Sequence, residues 1–332
     1  MSRADPLPTR WGILSTARIN GALLAAARAS DEVEVLAVAS RDGERANAYA
    51  AAHGLDRAYS SYEALLDAPD LDAVYISLPN ALHVEWAARA LQAGKHVLCE
   101  KPLSRRAAEL LSLFDVAANA DRLCMEAFMW RHHPQTRQLA SLVSAGAIGE
   151  LRLVRAAFSF PLTNSDDVRL SPELGGGALM DVGCYCVSAA RLLAGEPRRV
   201  SAQQARSPTG VDVRFVASLA FTGGALAQID TALDLPGRGE LEAIGSDGSI
   251  TVNDPWHCRA PGLTVRRGGE VEAIVVDAGD SYRLQIENFS AAIRGQAEPL
   301  LGREDALGQA RTLEALYASA DSGAAVDLAR SA

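Results

Sequence analysis

The chain begins with a regular alternation between short apolar segments and longer amphipathic ones. Apolar residues, many of them β-branched, fill the runs at residues 11–14, 33–39, 73–77 and 97–99. Each run is followed by a segment of helical periodicity, at residues 19–29, 44–53, 82–93 and 105–120. Apolar strands that alternate with helices are typical of parallel βαβ units, whose sheet is covered on both faces. We therefore predict an α/β domain over residues 1–125.

After about residue 126 the pattern changes. Helices are predicted over residues 136–143 and 178–193, on either side of a strand-like stretch at 151–160. Strand candidates then follow one another without intervening helices, at residues 200–205, 211–221, 225–233, 241–245, 249–252 and 271–276. Two helices, 281–294 and 304–320, come last. Consecutive strands joined by turns favour an α+β domain with a mostly antiparallel sheet, which we assign to residues 126–332.

Composition narrows the class of protein. The 332 residues carry 32 basic and 41 acidic side chains, for a net charge of −9, and the basic residues are scattered. Nucleic acid and anionic membranes are therefore poor partners. No apolar run reaches the ~18 residues that a membrane span needs, and residues 1–10 resemble no signal peptide, so we predict a cytoplasmic protein. The five cysteines lack paired zinc spacing, so we expect free thiols and no metal site.

The turn after the first predicted strand is a candidate phosphate site, because the pyrophosphate of a dinucleotide lies at this turn in dinucleotide-binding folds. The glycine pattern usual there is missing, since its three positions hold Ser15, Ala17 and Asn20. An ordinary strand-to-helix turn is therefore the alternative. The candidate contacts are Ser15, Thr16, Ala17, Arg18 and Ile19.

The end of the second predicted strand bears on the choice of cofactor. NAD sites usually place an acidic residue there for the ribose hydroxyls, whereas NADP sites place a hydroxyl and an arginine for the 2′-phosphate. This chain has Ser40 and Arg41, with Arg45 one helical turn later. The sequence therefore favours NADP over NAD, and a solvent-facing helix start is the alternative.

Two further groups follow the third and fourth predicted strands. The third strand is followed by Leu78, Pro79, Asn80 and His83, and the fourth ends at Glu100 and Lys101. Because ligands of open parallel sheets bind at the carboxyl ends of the strands, both groups are candidate cofactor contacts. His83 could instead cap a helix. Lys101 is one of only two lysines in a chain otherwise rich in arginine, which suits a role that arginine cannot fill. For Lys95 we expect chance survival at the surface.

Candidate substrate groups lie in the second half. Asp181 and Tyr185 are four residues apart on a predicted helix and so share a face, where a carboxylate and a phenol could move a proton. A dipole partner and a core aromatic are the alternatives. Residues 126–134 are dense in aromatic and hydrogen-bonding groups that suit a sugar. The candidate substrate contacts are Phe128, Trp130, Arg131, His132, Arg169 and Tyr185.

Together these motifs resemble the Gfo/Idh/MocA oxidoreductases. The resemblance rests on the segments at residues 13–19, 39–41, 78–80, 100–102, 126–129 and 176–183, which occur in the family's order and spacing. It extends over nearly the whole chain. Within the family the chain is most similar to the NADP-dependent D-xylose dehydrogenase and dimeric dihydrodiol dehydrogenase branch, with sugar ketoreductases nearby.

The resemblance implies a Rossmann domain followed by an α+β domain with an open sheet, and a homodimer or homotetramer. It implies hydride transfer between nicotinamide and a sugar or diol substrate. By position, Lys101 binds the reacting oxygen, Asp181 orients the lysine or the substrate, and Tyr185 is the proton donor or acceptor. Many family members have histidine in place of Tyr185, which leaves open whether Tyr185 or Lys101 transfers the proton.

Two other functions remain as alternatives. A non-catalytic dinucleotide sensor would be expected to lack the lysine or the acid–phenol pair. A redox-assisted glycosidase would hold NAD tightly, whereas Ser40 and Arg41 favour exchangeable NADP.

Overall fold

The computed structural model describes residues 7–328. The chain divides into two compact units. Among the described residues, the first contains 7–104, 108–129 and 282–306, and the second contains 105–107, 130–281 and 307–328.

The first unit is built on a six-stranded parallel sheet of order β3-β2-β1-β4-β5-β6. Its strands are β1 (Thr9–Leu14), β2 (Val33–Ala39), β3 (Arg57–Tyr59), β4 (Ala73–Ile76), β5 (His96–Glu100) and β6 (Cys124–Ala127). The intervening helices are α1 (Asn20–Arg28), α2 (Gly43–His53), α3 (Tyr62–Leu66), α4 (His83–Gln92) and α5 (Ala107–Asn119). All four residues of β4 are buried, as expected for a sheet covered on both faces.

The second unit contains α6 (Pro134–Ser144), a π-helical turn (Leu179–Gly183) and α7 (Cys184–Ala194). Its nine-stranded sheet has the order β14-β13-β12-β11-β7-β10-β9-β8-β15, and β7 with β10 is the parallel pair. The strands are β7 (Leu151–Ser159), β8 (Pro197–Arg206), β9 (Asp212–Phe221), β10 (Leu226–Ala232), β11 (Arg238–Gly245), β12 (Gly248–Asn253), β13 (Gly262–Arg267), β14 (Glu270–Ile274) and β15 (Val326–Asp327). The last helices are α8 (Ser281–Ile293) and α9 (Arg303–Ser322).

The predicted fold class is confirmed: a parallel α/β domain precedes a domain with a mostly antiparallel sheet. The short strands β3, β6 and β13 were not predicted, because runs of three to six residues carry little periodic signal. The helix predicted from residue 178 begins instead with the π-helical turn. We predicted a boundary at residue 126; the return of residues 282–306 to the first unit was not predicted.

The return of α8 to the first unit has a clear packing basis. The rings of Trp11 on β1 and Phe289 on α8 lie 5.8 Å apart, and both side chains are buried. An aromatic pair of this kind contributes more to the stability of the fold than the burial of its apolar area alone. An amphipathic helix near the end of a chain does not reveal in its sequence which sheet it covers.

Gly12 generates a prediction about this core. A Cβ there would lie 2.7 Å from Leu65 Cδ2 and 2.9 Å from Leu71 Cδ1, so α3 packs directly on the backbone of β1. Gly12→Ala should lower the free energy of unfolding by about 1–3 kcal/mol through overpacking. The matched control is Gly21→Ala on α1, where nothing lies within 4 Å of the added carbon. That change should be neutral or stabilise by up to about 1 kcal/mol. Urea unfolding measures both, and equal effects would contradict the close approach.

Candidate active site

The turn between β1 and α1 is held by hydrogen bonds of Ser15, at the first of the three glycine positions. Its φ of +111° is uncommon for a residue with a side chain. The Ser15 hydroxyl accepts the N–H of Ala17 at 3.1 Å and lies 2.8 Å from the hydroxyl of Ser77, which follows β4. A serine thus maintains the conformation that glycine usually supplies, because its side chain bonds to the turn.

Asn20, at the third glycine position, is fully buried. Its Nδ2 donates to the Ser15 carbonyl at 2.9 Å, and its Oδ1 accepts the Ser77 hydroxyl at 2.6 Å. Hydrogen bonds to β4 therefore replace the close helix–strand contact that glycine allows. The helix that begins at Asn20 has no side-chain cap. Its N-terminus keeps the positive end of the dipole available to an anion.

The end of β2 presents two exposed guanidinium groups, those of Arg41 and Arg45. The nearby acid, Asp42, is committed to the helix, since its Oδ1 accepts the Arg45 N–H at 3.1 Å and caps α2. Ser40 is buried, with its hydroxyl accepting the Asp42 N–H at 3.2 Å. An anion at this strand end therefore meets two cations, while the Asp42 carboxylate is already hydrogen-bonded.

His83 lies between the two motifs at the ends of β4 and β5. Its Nδ1 is 3.0 Å from the Pro102 carbonyl and its Nε2 is 2.8 Å from the Leu78 carbonyl. The ring is fully buried, and burial lowers its pKa. We predicted either a cofactor contact or a helix cap. The ring nitrogens lie against two backbone carbonyls, so the side chain links the segment after β4 to the segment after β5, and the cofactor contact stays a prediction.

The segment after β5 places a carboxylate next to Lys101. The Tyr75 hydroxyl donates to Glu100 Oε1 at 2.5 Å, and the Lys101 N–H donates to Glu100 Oε2 at 3.3 Å. The peptide bond between Lys101 and Pro102 is cis, and the Lys101 side chain is half-buried. These contacts fix the backbone from which Lys101 extends at the carboxyl edge of the sheet.

Lys95 differs from our expectation. It is buried rather than at the surface, and its Nζ donates to the carbonyls of Ala68 and Leu71 at 2.5 and 3.0 Å. The ammonium satisfies two carbonyl groups at the end of the sheet opposite the candidate cofactor contacts. Its retention therefore has a structural explanation.

In the second unit, the π-helical turn carries Asp181. Its Oδ2 accepts the Arg169 Nε at 2.6 Å, and the same guanidinium bonds Asp167 at 3.2 Å. Burial opposes the charge of Arg169, but the two carboxylates outweigh it and raise the arginine pKa. The chain packs tightly here, since a Cβ on Gly176 would lie 2.3 Å from the Arg169 carbonyl. The resemblance implied that Asp181 orients Lys101 or the substrate, and within its own unit the carboxylate pairs with Arg169.

Tyr185 lies among aromatic rings. Phe158 meets it edge to face with centroids 5.5 Å apart, and Trp256 lies 6.0 Å away. The Trp256 Nε1 donates to the Ala157 carbonyl at 2.9 Å, which fixes the indole. His257 contacts Phe158 at 5.6 Å and leaves 46% of its side chain exposed. The sequence analysis missed Phe158, Trp256 and His257. The Trp-His pair between two strands was the available signal.

The segment that enters the second unit contributes fewer substrate contacts than predicted. Phe128, Trp130 and His132 have no exposed surface, and burial lowers the pKa of His132 to about 3. We therefore do not retain these three as substrate contacts. Arg131 is half-buried, and its Nη1 donates to Ser188 Oγ at 3.1 Å. The density of aromatics in this segment serves the core, and sequence alone could not separate the two roles.

Comparison with known proteins decides the family. Residues 9–128 match the profile described as "Oxidoreductase family, NAD-binding Rossmann fold", and residues 136–251 match the "GFO/IDH/MocA C-terminal domain". The chain belongs to the Gfo/Idh/MocA family of oxidoreductases. The predicted family is thereby confirmed.

Three relatives illustrate the range of similarity. D-xylose 1-dehydrogenase (NADP(+)) 2 of Haloferax volcanii is 42% identical over 96% of this chain and 99% of its own. Trans-1,2-dihydrobenzene-1,2-diol dehydrogenase of Xenopus laevis is 34% identical over 80% of this chain and 81% of its own. The crystal structure of a 3-ketoreductase from Actinomadura kijaniata, in complex with NADP and TDP-benzene, has a TM-score of 0.89. It is 36% identical and covers 94% of this chain and 98% of its own.

Other kinds of site find no support in residues 7–328. Within that range, no group of three or more His, Cys, Asp or Glu side chains could hold a metal ion. No helix there is both long and apolar enough to cross a bilayer. The five cysteines are buried and free, and burial raises the pKa of Cys124 and Cys258 to about 12. These thiols are therefore poor nucleophiles.

The hydrogen bonds of Asn20 generate a prediction. Asn20→Ala should cost about 1–3 kcal/mol of stability, because the buried Ser15 carbonyl and Ser77 hydroxyl lose a partner. It should also weaken cofactor binding, since the turn loses its tie to β4. Asn164→Ala, in an exposed turn, is the control and should change neither property. Urea unfolding and fluorescence titration with NADPH test this. Unchanged stability in Asn20→Ala would contradict the proposed tie.

Proposed function

We propose that the protein is an NADP-dependent oxidoreductase that transfers a hydride between nicotinamide and a sugar or related polyol. The observation that carries the proposal is the placement of Lys101. It follows β5 at the carboxyl edge of the parallel sheet, the edge that also holds the turn after β1 and the arginines after β2. A cation that can bind the reacting oxygen thus shares this edge with the candidate cofactor contacts.

NADP is the proposed cofactor because of charge at the end of β2. Exposed Arg41 and Arg45 suit a 2′-phosphate, and Asp42 is engaged as the cap of α2. The uncapped N-terminus of α1 suits the pyrophosphate. The names of the Haloferax and Actinomadura relatives, which include NADP, support the same cofactor. We assign Leu78, Pro79 and Asn80 to the nicotinamide side of this edge.

For the substrate we propose an aldose such as D-xylose, or a keto-sugar. Tyr185 offers a phenol beside the ring of Phe158, with the buried Trp256 packed against both rings. Arg169 and Arg131 offer planar donors. Flat apolar faces combined with planar polar groups suit a hydroxyl-rich ring. The Haloferax relative, named for D-xylose, supports this choice.

In the proposed mechanism, the cofactor supplies the hydride acceptor or donor. During oxidation the hydroxyl group gives up its proton as the hydride leaves the carbon, and the Lys101 ammonium stabilises the alkoxide charge that develops on the oxygen. Tyr185 takes the proton as general base, or donates it in reduction. In the second scheme Lys101 transfers the proton and Tyr185 only hydrogen-bonds. Asp181 acts through Arg169, whose guanidinium it orients.

We also propose that the enzyme is cytoplasmic and forms a homodimer or homotetramer through the second unit. The outer face of its nine-stranded sheet exposes uncharged side chains such as Val216 and Gln228. Its charged side chains include Asp230 and Glu240, which both pair with Arg238. Sedimentation of the purified protein would test the assembly. Nucleic acid is not expected as a partner, given the net charge of −9.

The direct test is a panel of aldoses, diols, inositols and keto-sugars, assayed by NADPH and NADH absorbance in both directions. NADP-dependent turnover of an aldose or keto-sugar supports the proposal. Binding of NADP without turnover of any of these would favour a dinucleotide sensor. Tightly held NAD in the purified protein would favour a redox-assisted glycosidase.

The cofactor assignment predicts a reversal of preference. Wild type should prefer NADP in kcat/KM. Ser40→Asp with Arg41→Ala should cost NADP far more than NAD, because an acid repels the 2′-phosphate and a charge-assisted contact is lost. The control is Arg28→Ala, which lies at the other end of α1 and should leave the preference unchanged. Wild type using NAD equally well would refute the assignment.

The catalytic assignment predicts distinct effects for its two groups. Lys101→Met should lower kcat by about 10²–10³-fold through lost charge stabilisation, with NADP affinity within a few fold. Tyr185→Phe should lower kcat by roughly 10²-fold or more and remove one limb of the pH profile if the phenol is the acid–base group. A modest loss with an unchanged profile would assign the proton to Lys101. Near-normal activity in Lys101→Met would return that lysine to a structural role.

A further inference from the structure

A buried carboxylate lies against the start of the helical segment that carries Asp181 and Tyr185. It belongs to Asp212, the first residue of β9, which is 3% exposed. Asp212 Oδ2 accepts the N–H of Leu179 at 2.7 Å, and Oδ1 accepts the Tyr317 hydroxyl of α9 at 2.9 Å. The carboxylate therefore links a helix start on one side to a half-buried tyrosine of α9 on the other.

Gly177, the residue before this helix start, allows the Asp212 carboxylate to lie close to the backbone. Gly177 has a φ of +126°, and a Cβ there would lie 2.2 Å from Asp212 Oδ1 and 3.2 Å from the Tyr317 hydroxyl. No other residue type meets both conditions, the backbone angle and the missing side chain. This explains one glycine of the Gly-Gly-Gly run that the sequence singled out.

The helical segment needs an external anchor. Its own first residue, Ala178, provides no side-chain cap, and the next five residues, Leu179–Gly183, form the π-helical turn. π-helical turns are rare, and they depend on their surroundings to persist. A negative charge at a helix start satisfies the free N–H groups and the positive end of the dipole. The Asp212 carboxylate does this from a separate strand, and Thr231 donates to the Ala178 carbonyl at 3.3 Å from another.

We propose that Asp212 is a positioning residue whose ionised carboxylate anchors the π-helical turn and so presents Asp181 and Tyr185 to the substrate. This inference rests on the proposed function, because it assumes that Tyr185 acts on the reacting oxygen. Asp212 itself touches neither substrate nor cofactor in this scheme. Its effect passes through the backbone from Leu179 to Tyr185.

The anchor should depend on pH. Burial raises the pKa of Asp212 to about 6, although the bonds from Leu179 and Tyr317 act in the opposite direction. Few other charged groups lie nearby. The Arg105 guanidinium lies 5.1 Å from the centre of the Tyr317 ring, and Cys184 is a neighbour of that tyrosine. Arg206 lies opposite Asp212 on β8, but its guanidinium bonds Asp321. As pH falls through about 6, the carboxylate gains a proton and its charge-assisted bonds weaken.

Stability and activity should then respond to pH in opposite directions. The pKa of Asp212 is raised by folding, so its contribution to stability is full below the unfolded value of about 4 and is lost as pH rises through about 6. The positioning effect instead requires the ionised form and appears as pH rises through the same range. A purely structural role would give the two properties the same trend.

The test is Asp212→Asn in the full-length enzyme, with Asp234→Asn as the control. Asp234 pairs with Arg214 at the surface, and its substitution changes the charge equally. We expect Asp212→Asn to lower kcat about 10- to 100-fold at pH 8, with KM within a few fold, because reacting groups are misplaced and not removed. The acidic limb near pH 6 in kcat should disappear. Asp234→Asn should keep both kcat and the limb.

Tyr317→Phe supplies an independent variant. It removes a donor that favours the ionised carboxylate, so the acidic limb should move to higher pH, with a smaller loss of kcat than in Asp212→Asn. A limb that stays in place in both variants would overturn the proposal. So would an unchanged kcat in Asp212→Asn.

Hydrogen–deuterium exchange separates this inference from the proposed function. In the substrate-free protein at pH 8, peptides covering residues 178–185 should exchange faster in Asp212→Asn than in wild type or Asp234→Asn. Faster exchange together with no sugar turnover in wild type would refute the proposed function and keep the anchor. Normal exchange in Asp212→Asn would refute the anchor whatever the activity.

Discussion

Parallel strand pairing is the constraint on which the candidate cofactor site depends. Because β1 pairs in parallel with both β2 and β4, the ends of all three strands meet at one edge. Ser15, Arg41 and Ser77 follow those strands and therefore lie at that edge. The backbone polar groups where these strands end must find partners. Asn20 bonds one of them, the Ser15 carbonyl, together with the Ser77 hydroxyl, and in doing so it fixes the turn where a pyrophosphate would bind.

In the second unit, the polar groups that must find partners are charged carboxylates. Asp181 and Asp212 are carboxylates with little or no exposure, and each is satisfied within its own neighbourhood. Arg169 neutralises the first, while backbone N–H and a tyrosine hydroxyl stabilise the second. Gly176 and Gly177 allow both arrangements, because their backbones pack where a side chain would clash. The glycine run is thus explained by two separate packing contacts.

The two units have different roles in the proposed function. Charge at the ends of the parallel strands selects the cofactor, and Lys101 provides a cation at the same edge. Aromatic rings pack around Tyr185 and fix the orientation of the phenol, since Trp256 is itself held by a hydrogen bond. Trp256 and Trp130 are both buried and pack edge to face with each other, so this cluster continues into the core.

The sequence by itself determined the order of elements, the fold class and the family, because apolar periodicity and motif spacing are local properties of the chain. It also located Ser40, Arg41 and Lys101, since the end of a strand is visible in that periodicity. Only the tertiary structure showed that His83 and Lys95 make buried hydrogen bonds and that His132 is buried, because these residue types suit a ligand and the core equally well. Likewise Asp212 and Tyr317 are 105 residues apart. Their pairing exists only after β9 and α9 pack around the same helix start, and no local pattern reports it.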